Sequence, residues 1–393
     1  MLAAPATGRR AASALMHRNA LAEQFFGAAA PEIATTARDM ATRFERGGRL
    51  IAFGRGAAAT DAQHVAVEFV HPVIVGKRAL PAFDASALPV RSVPHLLGED
   101  DMLLAIAFAE DDDDTAALVR DALSRGIMTI APLGGGVTRA VRARVAAPFV
   151  LQEWAETYYH TLWETVHVFL ERAPRGQDVG SAAFLYPFLG AGNTESPGLL
   201  RDVVASIHAK VADDAALRMA VASQGDVLAA AASLIATSSA RGGTLLAFGN
   251  GGSATDANDF AFDCLCPPPP MTPIAAMSLA ADAATATAIA NDVGTELIFA
   301  RQLIAHGRAG DVAFAISTSG GSRNMIAALR QARADGLATI ALLGYDGGEI
   351  ARQGLADIAV VVGSDYIPRI QEVQASIYHV IRELAAGCGN GAY

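Results

Sequence analysis

The sequence predicts an α/β protein built from two tandem three-layer domains, each a parallel sheet flanked by helices. Three observations predict it. A long segment of the chain is written twice, short apolar runs alternate with helical patterns, and a glycine-rich turn follows the first run of each copy. "RGGRLIAFGRGAAATDAQHVAVEF" from Arg46 aligns without gaps to "RGGTLLAFGNGGSATDANDFAFDC" from Arg241, with about half of the positions identical. Self-similarity on that scale implies one fold repeated.

Taken in order, each copy opens with a long helical stretch that stops at "RGG", Arg46 to Gly48 and Arg241 to Gly243. In the second copy the apolar runs Leu245–Phe248, Val312–Ile316, Thr339–Leu343 and Ile358–Val362 are then spaced by helical segments. That alternation implies βαβ units. "LLAIAF" (Leu103 to Phe108) resembles "VAFAIS" (Val312 to Ser317) in pattern, "ALSRGIMTIAPLGG" pairs with "ARADGLATIALLGY", and "LQEWAETYYHTLWETVHVFLE" pairs with "IQEVQASIYHVIRELAA". The second copy has an additional helical segment, "AATATAIANDVGTELIFARQLI". "RAPRGQDVG" and "GAGNTESPG" are rich in Gly, Pro and polar residues and read as a linker. The division is 1–172, a linker over 173–198, and 199–393.

Composition narrows the function. A net charge of -10 repels phosphate backbones, so nucleic acid is not an expected partner. Three cysteines, Cys264, Cys266 and Cys388, form no disulfide framework, and a cytoplasmic location is expected. No uncharged apolar segment reaches the roughly 18–20 residues of a membrane span, so no membrane partner is expected. Arg9 and Arg10 are followed by Arg18 and Glu23 rather than a clean apolar run, which argues against a leader.

In an open α/β sheet, ligands sit beyond the carboxyl ends of the strands, where helix N-termini present free N–H groups. The second copy has two turns there: Asn250, Gly251, Gly252 and Ser253, and "STSGGS" from Ser317 to Ser322. Glycines let a backbone approach an anion closely, and the hydroxyls of Ser317, Thr318, Ser319 and Ser322 add donors. Without a Walker lysine, such a cradle suits one phosphate monoester better than a triphosphate.

"GNGGSATDANDFAFD", "AIANDVG", "AISTSGGS" and "RIQEVQASIYHV" together resemble the sugar isomerase (SIS) domain, and within it the phosphoheptose isomerases. The resemblance covers nearly all of Leu199 to Ala385 and, more weakly, Arg18 to Glu171. It implies aldose–ketose isomerisation, sedoheptulose 7-phosphate to heptose 7-phosphate, at a subunit interface of a zinc-containing tetramer. This chain would then be a pseudo-dimer, and its homodimer a pseudo-tetramer. The resemblance places the sugar on Asn250, Gly251, Gly252, Ser253, Asn291, Asp292 and Gln371, and the phosphate on Ser317, Thr318, Ser319 and Ser322. It also implies a metal tetrad of His, Glu, Gln and His, with the Glu as base. The first copy has the full set, His64, Glu68, Gln152 and His160; the second has Asp259, Asp263, Gln371 and His379, a weaker set. Glu68, His160, Asp263 and His379 are the catalytic candidates.

The residues are consistent with that assignment. His64 and Glu68 share one helical face, and Gln152 and His160 lie about 80° apart on a wheel. Imidazole and carboxylate suit Zn²⁺. The first copy lacks the cradle: Ala58 replaces the turn serine, and "AFAEDDDDT" stands where "STSGGSRNM" stands in the other. Carboxylates there would cap the helix and repel phosphate. The halves would then be specialised, with a composite site one consequence. Cys264 and Cys266 read as small, inert residues rather than soft ligands. Loss of key residues in both copies leaves a second reading open, a non-catalytic sugar-phosphate sensor or partner-binding scaffold.

Overall fold

The computed structural model describes residues 5–74, 76–108, 112–132, 139–140, 147–170 and 197–387. The chain forms two compact units, one of Met1–Asn19 with Asp214–Tyr393, the other of Ala20–Asp213. Each unit therefore takes its body from one copy of the repeat and a helical segment from beyond it. This division differs from 1–172 and 199–393. It cuts α1 (Pro5–Glu45) after Asn19 and α5 (Pro197–Ala222) after Asp213. Most of the expected linker lies outside the described residues, and α5 begins inside its last two.

The unit of Ala20–Asp213 contains β1 (Leu50–Gly54), α2 (Ala57–Val70), β2 (Ala82–Asp84), β3 (Met102–Ile106), α3 (Asp113–Ser124), β4 (Met128–Ala131), β5 (Arg139–Ala140) and α4 (Pro148–Leu170). Its sheet has the order β2-β1-β3-β4-β5, every pair parallel. The other unit contains α6 (Gly225–Ala240), β6 (Leu245–Gly249), α7 (Gly252–Leu265), β7 (Ala276–Ser278), α8 (Ala283–Asp292), α9 (Ile298–His306), β8 (Val312–Ser317), α10 (Arg323–Ala334), β9 (Ala338–Gly344), α11 (Gly348–Arg352), β10 (Ile358–Val362) and α12 (Ile367–Ala385). Its sheet, β7-β6-β8-β9-β10, is parallel and repeats the same order. The added helical segment of the second copy is α8 and α9.

Every residue of β1, β3, β6 and β8 is buried, as a parallel strand covered on both faces requires. In the second unit one apolar layer joins Leu228, Ile235, Phe260, Phe314 and Ile377, and also takes in Ala11 and Leu15 of α1. A layer of Phe248, Phe299, Leu303, Met325 and Leu329 covers the opposite face. The early part of α1 docks closely on α6: a Cβ on Gly225 would stand 2.3 Å from the carbonyl oxygen of Gly8. Arg18, also buried, pairs with Glu383 at 2.9 Å.

Strand register corrects one pairing. Leu50 pairs with Met102, while its counterpart Leu245 pairs with Val312. Met102, not Leu103, is thus the counterpart of Val312. On that register Asp112 matches Ser322, and each stands at the N-cap of its helix.

Candidate functional site

In each sheet the chain leaves the first strand in one direction and the third element of the sheet lies on the other side. The order reverses between β6 and β8, the point at whose carboxyl ends an open α/β sheet binds its ligands. Both turns picked out in the second copy flank this point. After β6, Gly251 caps α7 with φ 58, a left-handed conformation that a side chain disfavours, and its counterpart Gly56 has φ 59. Ser253 is buried in the first turn of α7.

The serine turn leads into α10. Ser317 Oγ accepts from the Gly320 N–H at 3.1 Å and Ser319 Oγ from Gly321 N–H at 3.2 Å, so both shape the loop. Ser322 caps α10 through its carbonyl, which accepts from Ile326 N–H, and its hydroxyl makes no capping bond. The two turns are tied together by a reciprocal amide pair. Asn250 Nδ2 donates to Asn324 Oδ1 at 3.0 Å, and Asn324 Nδ2 donates to Asn250 Oδ1 at 2.7 Å.

In the first unit Arg55 and Asp114 occupy the two corresponding positions, and they form a 3.7 Å ion pair. Asp112 accepts from Thr115 N–H at 3.0 Å, so a carboxylate occupies the N-cap that Ser322 holds in the other unit. The expected internal cap is present, although Ala109 to Asp111 lie outside the described residues. Asn291 and Asp292 end α8 exposed; Asn291 Nδ2 donates to Asp292 Oδ1 at 2.8 Å.

Helices α7 and α12 assemble a second, buried group. Donor atoms of Asp259, Asp263 and His379 lie within 4.8 Å of one another. His379 Nε2 is 3.1 Å from Asp263 Oδ2 and 3.9 Å from Asp259 Oδ2, and Tyr378 Oη donates to Asp259 at 2.9 Å. Gln371 is buried two turns before His379 on the same helix. Burial pushes the Cys264 thiol up to about 12, so it stays protonated and poor as a ligand, while Cys266 is exposed.

The corresponding group in the first unit differs from the expected tetrad. His64, Glu156 and His160 bring donor atoms within 4.8 Å of one another. Glu68 stands outside this trio, fully buried, with Oε1 3.7 Å from His64 Nε2. Gln152 is buried on α4, two turns before His160. Glu156 was missed in the sequence because its counterpart in the repeat is Ala375. The signal that marks it is its spacing four residues before His160, the same one-face spacing that joined His64 to Glu68. Two imidazoles and a carboxylate fit a divalent transition metal, so the residues present match a metal site in chemistry.

Residues 212–344 match the model of the SIS domain. The phosphoheptose isomerase of Sulfurimonas denitrificans is 46% identical over 142 residues, 36% of this chain and 71% of that protein. The chain belongs to the phosphoheptose isomerase family. The phosphoheptose isomerase of Roseiflexus sp. is 37% identical over 193 residues, covering 49% of this chain and 95% of the relative. A solved structure, the C-terminal domain of glucosamine-fructose-6-phosphate aminotransferase from Francisella tularensis, matches with a TM-score of 0.62 over 95% of this chain and 94% of that chain. At 9% identity that likeness shows the SIS-type fold alone. Among the described residues, no single helix is long and apolar enough to cross a membrane.

Proposed function

We propose that the protein is a sugar-phosphate aldose–ketose isomerase, interconverting sedoheptulose 7-phosphate and a heptose 7-phosphate in its second half. One observation carries the reading: the buried His379–Asp263 pair lies on the helix that opens at the glycine turn, and on its α12 neighbour. The relatives' shared name supports the same substrate class.

The chemistry needs a proton moved between C1 and C2 through an enediol. On this reading Asp263 takes that proton, and His379, 3.1 Å from Asp263, moves a proton at the carbonyl oxygen. Asp259, Asp263 and His379 would hold a divalent metal, zinc the expected one, which would supply polarisation of the substrate oxygens. The reading takes the working form as a cytoplasmic homo-oligomer, a homodimer standing for a tetramer.

A second reading, a non-catalytic sugar-phosphate sensor, is favoured by the fact that Tyr378 and His379 already bond both acids. Deuterium exchange separates the two. Sedoheptulose 7-phosphate incubated with the protein in D₂O is expected to gain deuterium at C1 and yield aldose by NMR. Tight binding without exchange sinks the isomerase and leaves the sensor.

A further inference from the structure

We propose that Arg382 is a positioning residue of the second unit's site: it holds the main chain of Asp263 against α12, so that the short side chain of this acid reaches His379. His379 and Arg382 are three residues apart on α12 and share one face of it. Both bond Asp263. His379 Nε2 lies 3.1 Å from the carboxylate oxygen Oδ2, and Arg382 Nε donates to the main-chain carbonyl at 3.1 Å. One residue of α7 is thus gripped twice, by its side chain and by its backbone.

The carbonyl of Asp263 can accept because of its place in α7. The last four carbonyls of a helix have no partner inside it. At the end of α7, Cys266 N–H takes the carbonyl of Phe262 and Ile274 N–H that of Cys264, each at 2.7 Å. The carbonyl between them goes to Arg382. The guanidinium also donates through Nη2 to the carbonyl of Thr272 at 2.6 Å, which ties down the segment between α7 and β7. Arg382 is fully buried, and a cation so placed is costly unless such acceptors meet it. At a helix C-terminus it also meets the negative end of the helix dipole.

The repeat supplies an independent argument. Asp263 is matched in the first copy by Glu68, and Arg382 by Trp163. The acid that is shorter by one methylene, ~1.5 Å of reach, comes with the arginine, and the longer acid comes without it. Trp163 is fully buried, and its Nε1 has no hydrogen-bond partner among the described residues, so it supplies no such tie. Neither carboxylate oxygen of Glu68 has a hydrogen-bond partner among the described residues either.

The turnover arm of the test rests on the isomerase reading, and a second arm does not. Full-length Arg382→Met, which keeps an apolar stem without the donors, is compared with wild type on sedoheptulose 7-phosphate. Misplacing a reacting group by about 1 Å can cost ~10²-fold, so kcat should fall by about that factor while KM stays close to the wild-type value. Asp263→Glu is then introduced into both proteins. It should lower kcat in wild type but raise it by roughly tenfold or more in Arg382→Met, because the longer side chain restores the reach. An arginine that served only the fold would give losses that add. The second arm reads the ring-nitrogen resonances of protein made with isotope-labelled histidine, with His379→Gln identifying the signal of His379. That signal should move in Arg382→Met and return toward its wild-type position in the double variant, with or without turnover. If circular dichroism shows Arg382→Met misfolded, Arg382→Lys, which keeps the charge but lacks the planar fork, carries the same comparison. Inactive wild type with the expected resonance pattern sinks the isomerase reading and leaves Arg382 as the residue that positions the pair. Additive losses in an active protein, or an unmoved His379 resonance in the arginine variants, would overturn the assignment.

Discussion

Thr318→Val and Ser322→Ala test the phosphate cradle without disturbing the loop that forms it. Ser322 spends its carbonyl, not its hydroxyl, on capping α10, and Thr318 is half-buried at the end of β8. A hydrogen bond to a charged group contributes about 1.5–3 kcal/mol, so each substitution should weaken sugar-phosphate binding by about 10- to 150-fold. Thermal stability should hardly move, since neither hydroxyl holds a hydrogen bond among the described residues. Ser317→Ala is the contrasting variant. Its Oγ accepts from the Gly320 N–H, and deleting it strands a buried donor, a cost of about 1–3 kcal/mol in stability. Calorimetry with sedoheptulose 7-phosphate, with inorganic phosphate as the minimal probe, reads the affinity; a thermal melt reads the stability. If Ser322→Ala and Thr318→Val bind within twofold of wild type, the phosphate does not sit at the start of α10.

Asp263→Asn keeps the shape of the acid–base pair but removes the carboxylate; isomerase turnover should fall by about 10²–10⁴-fold with substrate binding retained, and unchanged turnover would remove Asp263 from the reaction. Asp214 is raised well above the usual carboxylate range, first by burial and then by Glu372, against the opposing pull of Arg369 and Arg218. A raised acid favours folding while protonated, so its contribution is full below about pH 4 and is lost as pH rises through the folded value. Asp214→Asn should therefore flatten the pH dependence of denaturant midpoints above that pH; an unchanged slope would contradict this. In peptide-resolved iodoacetamide labelling of native protein, Cys266 should react at pH 8 while Cys264, with its thiol pushed up to about 12, should not until the fold is opened.

The repeat and its apolar runs made the two sheets legible, because a strand buried on both faces leaves a continuous apolar word in the sequence. Gly251 and the serine turn were legible because a left-handed cap and a hydroxyl-rich helix start each demand particular residues. Glu156 was not, since comparing the copies sets it against an alanine and only its spacing to His160 betrays it. On α4 nearly every residue from Phe149 to Val168 is buried, polar ones included. The usual contrast between a wet and a dry face, which would have singled out an inward acid, is absent there. The division inside α1 was equally hidden, because 41 residues of unbroken helix carry no mark at Asn19 of which core each end enters.

That division sets an order of events when the chain is made from its amino end. Ala20–Asp213 is continuous and is complete once α5 has emerged. The other unit needs its first helix segment and its last: Arg18 and Glu383, which it pairs, are 365 residues apart. At ~5–20 residues per second, Met1–Asn19 waits on the order of ten seconds or more after Asp213 for the partners of Ala11 and Leu15 to be synthesised. Throughout that interval Ala11 and Leu15 lack the complete apolar layer that they enter in the folded unit. Splitting the gene between the two copies of the repeat would take from each unit a helical segment that the other copy's side of the chain supplies.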